Sequence, residues 1–159
     1  MFQSGKMSAM RIVALCLLAG AAFGQTPAAQ VGAVLDDWHQ AASVADEARY
    51  FAYFAPAGVF MGTDATERWT VPEFRAWAKP YFDRKKAWSF RPRDRHIAFS
   101  ADGKTAWFDE MLDTPNLGLC RGSGVLIAED GTWKIAQYNL SIPIPNALAD
   151  GIVKQIAGH

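Results

Sequence analysis

Across residues 31–45 the apolar side chains recur at helical spacing: Val31, Val34, Leu35, Trp38, Ala41, Ala42 and Ala45 share one side, and Asp36, Asp37 and Gln40 the other. That period predicts an amphipathic helix. A shorter helical piece over residues 49–54 carries Tyr50, Phe51, Tyr53 and Phe54 until Pro56 and Gly58 stop it. Val59, Phe60 and Met61 then read as a short strand ended by Gly62. Thr70-Val71-Pro72-Glu73 has capping-box spacing with proline in the first turn, so a second long helix starts there and presents Phe74, Trp77, Ala78, Tyr81 and Phe82. Pro80 kinks or shortens it by removing a backbone donor.

Beyond residue 87 the period changes from about 3.6 to 2. Trp88 and Phe90 alternate with polar residues, but Ile97 and Phe99 stand on the opposite parity, which requires a bulge or bend near residues 92–96. Asp102-Gly103 turns the chain into a strand over residues 105–112. A loop with Pro115, Asn116 and Gly118 leads to a strand over 120–128, and Glu129-Asp130-Gly131 turns into another over 132–142. Pro143 and Pro145 end that strand, and Asn146 starts a weak last helix with Leu148, Ile152 and Ile156 on one side. Helices followed by a meander of antiparallel strands define an α+β domain.

Composition narrows this further. The chain has 159 residues, 50% hydrophobic and 20% charged, which is globular composition for one domain. Lys6 and Arg11, an uncharged apolar run over residues 12–23, and the small residues of Ala22-Phe23-Gly24 form the three-part pattern of a secretory signal peptide. The boundaries expected are 1–24 for the signal peptide, 25–30 for a short tail and 31–159 for the domain with a C-terminal extension, in an exported protein (periplasmic or secreted) with no stable membrane span after cleavage. Cleavage removes two of the 16 basic residues and none of the 16 acidic ones, leaving a formal charge of −2. A mildly acidic exported domain is not expected to bind nucleic acid. Cys16 leaves with the leader, so the lone Cys120 excludes an intramolecular disulfide.

Several runs together resemble the nuclear transport factor 2-like superfamily, closest to its SnoaL-like branch: Gly62-Thr63-Asp64 with Glu67-Arg68-Trp69, Ala106-Trp107-Phe108-Asp109-Glu110, Arg121-Gly122-Ser123-Gly124-Val125, and Asp130-Gly131-Thr132-Trp133-Lys134-Ile135. The likeness spans roughly residues 31–145. It implies a cone-shaped fold, a curved antiparallel sheet with helices closing a cavity, often dimeric through the outer sheet face. Relatives include cofactor-free isomerases, dehydratases, cyclases and hydrolases, in which a pocket carboxylate or histidine commonly moves a proton, and also non-catalytic binding domains. Function therefore has to be argued from the site.

The final hairpin decides which side chains face inward. A three-residue Glu129-Asp130-Gly131 loop sets Val125, Ile127, Trp133 and Ile135 on one apolar face, extended by Arg121, Ser123, Gln137, Asn139 and Ser141; a two-residue turn would send Arg121 outward. The first register is preferred for its coherent apolar face. It gives a pocket with a polar end at Arg121, Gln137 and Asn139, and leaves Leu126, Ala136, Tyr138, Leu140 and Ile142 on an outer face suited to a homodimer. Counting back across the loop near Asn116 places Glu110 about opposite Arg121, as a catalytic candidate held by the guanidinium, with Asp109 on the other face as the alternative acid/base. Asp64 and Glu67 fall at the pocket mouth, and Trp38, Trp69 and Trp107 are candidate walls, although at such spacing aromatic residues are more often core. His39 is more often structural than a proton carrier. The arginines at 84, 91, 93 and 95 with Lys85 and Lys86 read as a solvated basic face. No cofactor and no metal site is expected: no phosphate-cradling glycine loop is present and the three histidines lie far apart. Three functions stay open: a domain binding a small, largely apolar molecule, a cofactor-free isomerase, lyase or hydrolase, and a non-catalytic dimerisation module.

Overall fold

The structure, a computed structural model, describes residues 25–158; the signal-peptide assignment lies outside them. The elements follow as α1 (Pro27–Ser43), α2 (Glu47–Ala52), β1 (Phe54–Met61), β2 (Arg68–Thr70), α3 (Val71–Asp83), β3 (Arg91–Phe99), β4 (Thr105–Thr114), β5 (Gly118–Glu129), β6 (Thr132–Ser141) and α4 (Asn146–Ile156). The segment expected as a tail at 25–30 is mostly helix: Thr26 caps α1 through its side chain, and Pro27 supplies the preset φ of a first helical residue. The capping box at Thr70 and Glu73 forms as the spacing predicts, and Pro80 is accommodated inside α3.

Six strands make one sheet in the order β2-β1-β6-β5-β4-β3. All pairs are antiparallel except β1 with β6. The long strands curl, α1 lies across β3 and β6, and α3 lies across β1 and β2. The result is the α+β cone, with its concave face covered by helices. Among the described residues no helix is long and apolar enough to cross a membrane.

Two irregularities set which side chains enter the cone. In β3, Arg93 pairs with Met111 and His96 with Asp109, so Asp94 and Arg95 together oppose Glu110. This is the bulge expected from the parity change, and Asp94 takes it up with φ +50°. In the last hairpin Glu129 pairs with Thr132 across a two-residue turn, Asp130 at φ +48° and Gly131 at φ +76°. Positive φ at both central residues is the geometry that matches the twist of a hairpin and suits an Asp-Gly pair. The preferred three-residue register is therefore corrected. Leu126, Trp133, Ile135, Tyr138 and Leu140 are buried on the concave face, while Arg121, Ser123, Val125, Gln137, Asn139 and Ser141 take the outer one. A bulge between Val125 and Leu126, with Ala136 as the extra residue, keeps both ends of the hairpin in phase with the core.

The core is aromatic. Trp38, Tyr50, Phe54, Phe60, Phe74, Phe82 and Tyr138 are buried together, with Phe60 and Phe74 stacked at 3.9 Å between centroids. Rings of this size supply most of the apolar area that a domain this small can bury.

Candidate functional site

The concave face of β4 runs Ala106, Phe108, Glu110, Leu112, and every one of these is buried. Glu110 is the exception in kind, a carboxyl group with no solvent exposure in an apolar row. Burying such a group is costly unless each oxygen is met, and here each is. His39 Nε2 is hydrogen-bonded with Oε1 at 2.7 Å, and Arg95 Nε donates to Oε2 at 2.6 Å. The β3 bulge brings Arg95 there. Its Nη1 goes on to the Gly32 carbonyl at 3.0 Å and to Asp36 at 2.8 Å, tying β3 and β4 to the start of α1. His39 is itself buried on the inner side of α1, 4.9 Å from the Trp38 ring.

Above this network stands Tyr138. It pairs across the sheet with Gly124, and Gly122 pairs with Glu110. A Cβ on Gly122 would come within 2.6 Å of the Tyr138 hydroxyl, and one on Gly124 within 2.9 Å of Phe108. The Gly122-Ser123-Gly124 run is thus room for a tyrosine and a phenylalanine to lie down on the sheet. Burial, and then the nearby Glu110, push the Tyr138 phenol well above its ordinary pKa. Burial, and then Tyr138, do the same for Tyr50. Both phenols are held as neutral O–H donors.

Trp38 stacks on Tyr50 at 5.1 Å and meets Tyr138 edge-on at 4.7 Å. Among the described residues, Trp38 Nε1, Tyr50 Oη and Tyr138 Oη are all buried without a hydrogen-bond partner. Trp88 lies edge-on to the Tyr50 ring at 5.4 Å, yet nothing meets the Tyr50 hydroxyl in hydrogen-bond geometry. Buried donors are nearly always matched by protein, water or ligand. Trp38 thus stands between the two rings that carry the other unmatched donors, beside a histidine–carboxyl pair and inside aromatic walls.

The sequence-predicted residues distribute as follows. Glu110 is in the network, but its cation is Arg95, because Arg121 pairs with Met111 one position along and is exposed on the outer face. Gln137 and Asn139 are likewise outside, so the polar end proposed at Arg121, Gln137 and Asn139 does not form inside the cone. Asp109 is exposed on the outer face, 3.2 Å from His96. Trp38 is central. Trp69 is partly buried, stacked between Phe74 and Trp77, and Trp107 is half exposed on the outer face. Asp64 and Glu67 do the work of a turn: Asp64 accepts from Thr66, and Glu67 accepts from the Asp64 amide. The outer-face dimer surface expected at Leu126, Tyr138 and Leu140 is corrected too, since all three are buried inside. Arg95, Tyr50 and Tyr138 were missed. Arg95 shares parity with Ile97 and Phe99, so a bulge before it turns it inward with them.

The SnoaL-like domain family model matches residues 31–145, and the chain belongs to that family. Solved structures agree in fold. A nuclear transport factor 2-like protein of unknown function from Pseudomonas putida superposes with a TM-score of 0.64 at 14% identity, covering 77% of this chain and 92% of that one. A candidate dehydratase of the same fold family from Streptomyces avermitilis gives 0.62 at 16% identity, with 75% and 97% covered. A candidate scytalone dehydratase from Novosphingobium aromaticivorans gives 0.61 at 9% identity, with 74% and 84% covered. No curated protein matches the sequence.

Proposed function

We propose that this domain binds a small, largely apolar molecule carrying an acceptor oxygen, on the concave face between Trp38, Tyr50 and Tyr138 and beside Glu110. The observation that carries the reading is the set of three buried donors on adjacent rings with no protein partner, next to a carboxyl group already matched on both oxygens. A core selected for packing alone would place Phe at 50 and 138, since an unmatched buried hydroxyl costs about 1–3 kcal/mol. The aromatic walls supply apolar contact, and the donors fix one polar atom. Trp38, Tyr50 and Tyr138 have essentially no exposure, so entry requires the helical cover to open. Native mass spectrometry of the purified protein tests this. The expected result is a retained small molecule on the wild-type chain, lost in Tyr138→Phe; a bare wild-type chain, or a bound molecule retained equally in Tyr138→Phe, would mark the three donors as features of packing.

A second reading is favoured by one contact, His39 to Glu110 at 2.7 Å. A histidine held by a buried carboxyl group is an arrangement suited to proton transfer, and makes His39 with Glu110 a better acid/base pair than Asp109. A cofactor-free isomerase or lyase would use His39 to move the proton and Glu110 to position it. In that case His39→Gln abolishes turnover and leaves binding within about threefold, since only transition-state stabilisation is removed.

Export and homodimerisation belong to the same proposal. The charge–apolar–small pattern of the first 24 residues supports export. The outer sheet face, with Trp107 and Leu119 about half exposed beside Asp109 and Arg121, supports self-association; sedimentation of wild type against Trp107→Glu reads it directly.

A further inference from the structure

An open cleft of about 720 Å³ lies at the end of β1 and β6, between α4 and the loop of residues 62–67. This is within the size range of small-molecule sites, roughly 300–1,000 Å³. One wall is apolar: Met61, Ile142, Ile144 and Ile152 line it. The other is the 62–67 loop, with the carboxylates of Asp64 and Glu67 against a single guanidinium, Arg68. Asn139, the cross-strand neighbour of Met61, belongs to the floor. Leu140, on the core-facing side of β6, lines it as well, so the cleft opens at the end of β1 and β6, beyond Phe60 and Tyr138, which do not line it.

Two features separate this cleft from an ordinary surface dent. First, α4 buries none of its side chains. An isolated helix of 11 residues is marginal in water, yet this one presents Leu148 and Ile156 exposed with Ile152 turned into the cleft. Second, the carboxylates are arranged by their own loop. Asp64 uses Oδ1 for the Thr66 amide and hydroxyl, at 2.8 and 2.6 Å, and Glu67 uses Oε2 for the Asp64 amide at 3.2 Å. The Thr66 hydrogen bonds hold Asp64 below the usual carboxylate range. Among the described residues the second oxygen of each carboxylate is uncommitted. The Glu67 carboxylate lies where a side chain at residue 62 would stand, so Gly62 is what admits it.

We propose that this cleft is a second binding site, taking a small amphiphilic cation whose apolar body lies along Ile144 and Ile152 and whose ammonium meets Asp64 and Glu67. The charge asymmetry of the rim selects a cation over an anion, and the isoleucine wall selects an apolar body over a hydrated ion. The site is independent of the concave network, and either can fail without the other.

The test is a titration of the isotope-labelled full domain with n-octylammonium chloride, below its micelle concentration, followed by amide resonances. The expected result is saturable shifts confined to residues 61–68 and 139–152, with sodium octanoate weaker by roughly tenfold or more, as charge-assisted contacts imply. Asp64→Asn with Glu67→Gln should remove that preference and leave the fold intact, and Ile152→Asp should abolish binding. Equal binding of octanoate, an unchanged preference in the Asp64→Asn, Glu67→Gln variant, or the absence of shifts overturns the site. Shifts confined to Trp38 and Tyr138 overturn it as well, and point to the concave site instead.

Discussion

Strand β4 carries two carboxyl–histidine pairs one residue apart, and they could hardly differ more. Glu110 meets His39 at 2.7 Å with side-chain exposures of 0% and 4%; Asp109 meets His96 at 3.2 Å with exposures of 58% and 75%. The same chemistry is an anchored network on one face of the sheet and a solvated contact on the other. Water competes for every hydrogen bond of the outer pair and for none of the inner one, so the inner pair holds geometry that the outer pair does not. Burial separates the two pairs, and burial is set by strand parity.

The largest expected effect breaks the inner pair. Glu110→Ala leaves Arg95 and His39 buried without their acceptor and should destabilise the domain by about 3–5 kcal/mol in denaturant unfolding, against about 0.5 kcal/mol or less for Asp109→Ala. Equal losses would erase the contrast between the faces. Next comes Gly124→Ala, where a methyl group would come within 2.3 Å of the Gln137 carbonyl and 2.9 Å of Phe108. Neither neighbour gives easily, so about 1–3 kcal/mol of overpacking strain should appear as a lower melting temperature. A smaller change is expected for Tyr138→Phe, a gain of about 1 kcal/mol for the free protein, because an unmatched buried hydroxyl is removed without leaving a stranded partner. Its effect should fall on ligand retention instead.

The smallest effect is a pH slope. The Tyr53 phenol donates to Asp37, and burial together with that carboxylate pushes its pKa up to about 12. A folded-state value above the unfolded one means the neutral phenol stabilises the fold. Its contribution is complete below pH 10 and is lost as pH rises toward 12. Urea unfolding of wild type and Tyr53→Phe between pH 8 and 11.5 should show the shallower alkaline fall in the variant; parallel curves would show that the contact has no weight.

Much of the fold was legible in the chain, and the reasons are local. The α1 face, the Thr70–Glu73 cap and the change of period after residue 87 are each written in short-range spacing. The β3 bulge was legible from Ile97 and Phe99 falling out of phase with Trp88 and Phe90. What failed was a choice between registers. Both faces of β5 and β6 are apolar enough to be core, and Glu129-Asp130-Gly131 accommodates a two- or a three-residue loop. A second slip, of one residue across the β4–β5 loop near Asn116, exchanges Arg121 for Gly122 opposite Glu110. The two glycines, which sequence offers only as part of a family run, are where Tyr138 and Phe108 lie. Arg95 reads with Arg91 and Arg93 as surface charge until the bulge between them is carried through to its side chain, which it turns inward.

The most direct test of the concave site is the indole N–H resonance of Trp38, a proton that belongs to one of the three unmatched donors. Titration with a panel of small neutral carbonyl compounds should shift and saturate this resonance for at least one member, with weaker binding in Tyr138→Phe. A Trp38 indole resonance that stays fixed across the whole panel, in wild type and variant alike, would contradict the account and leave the three donors as features of packing.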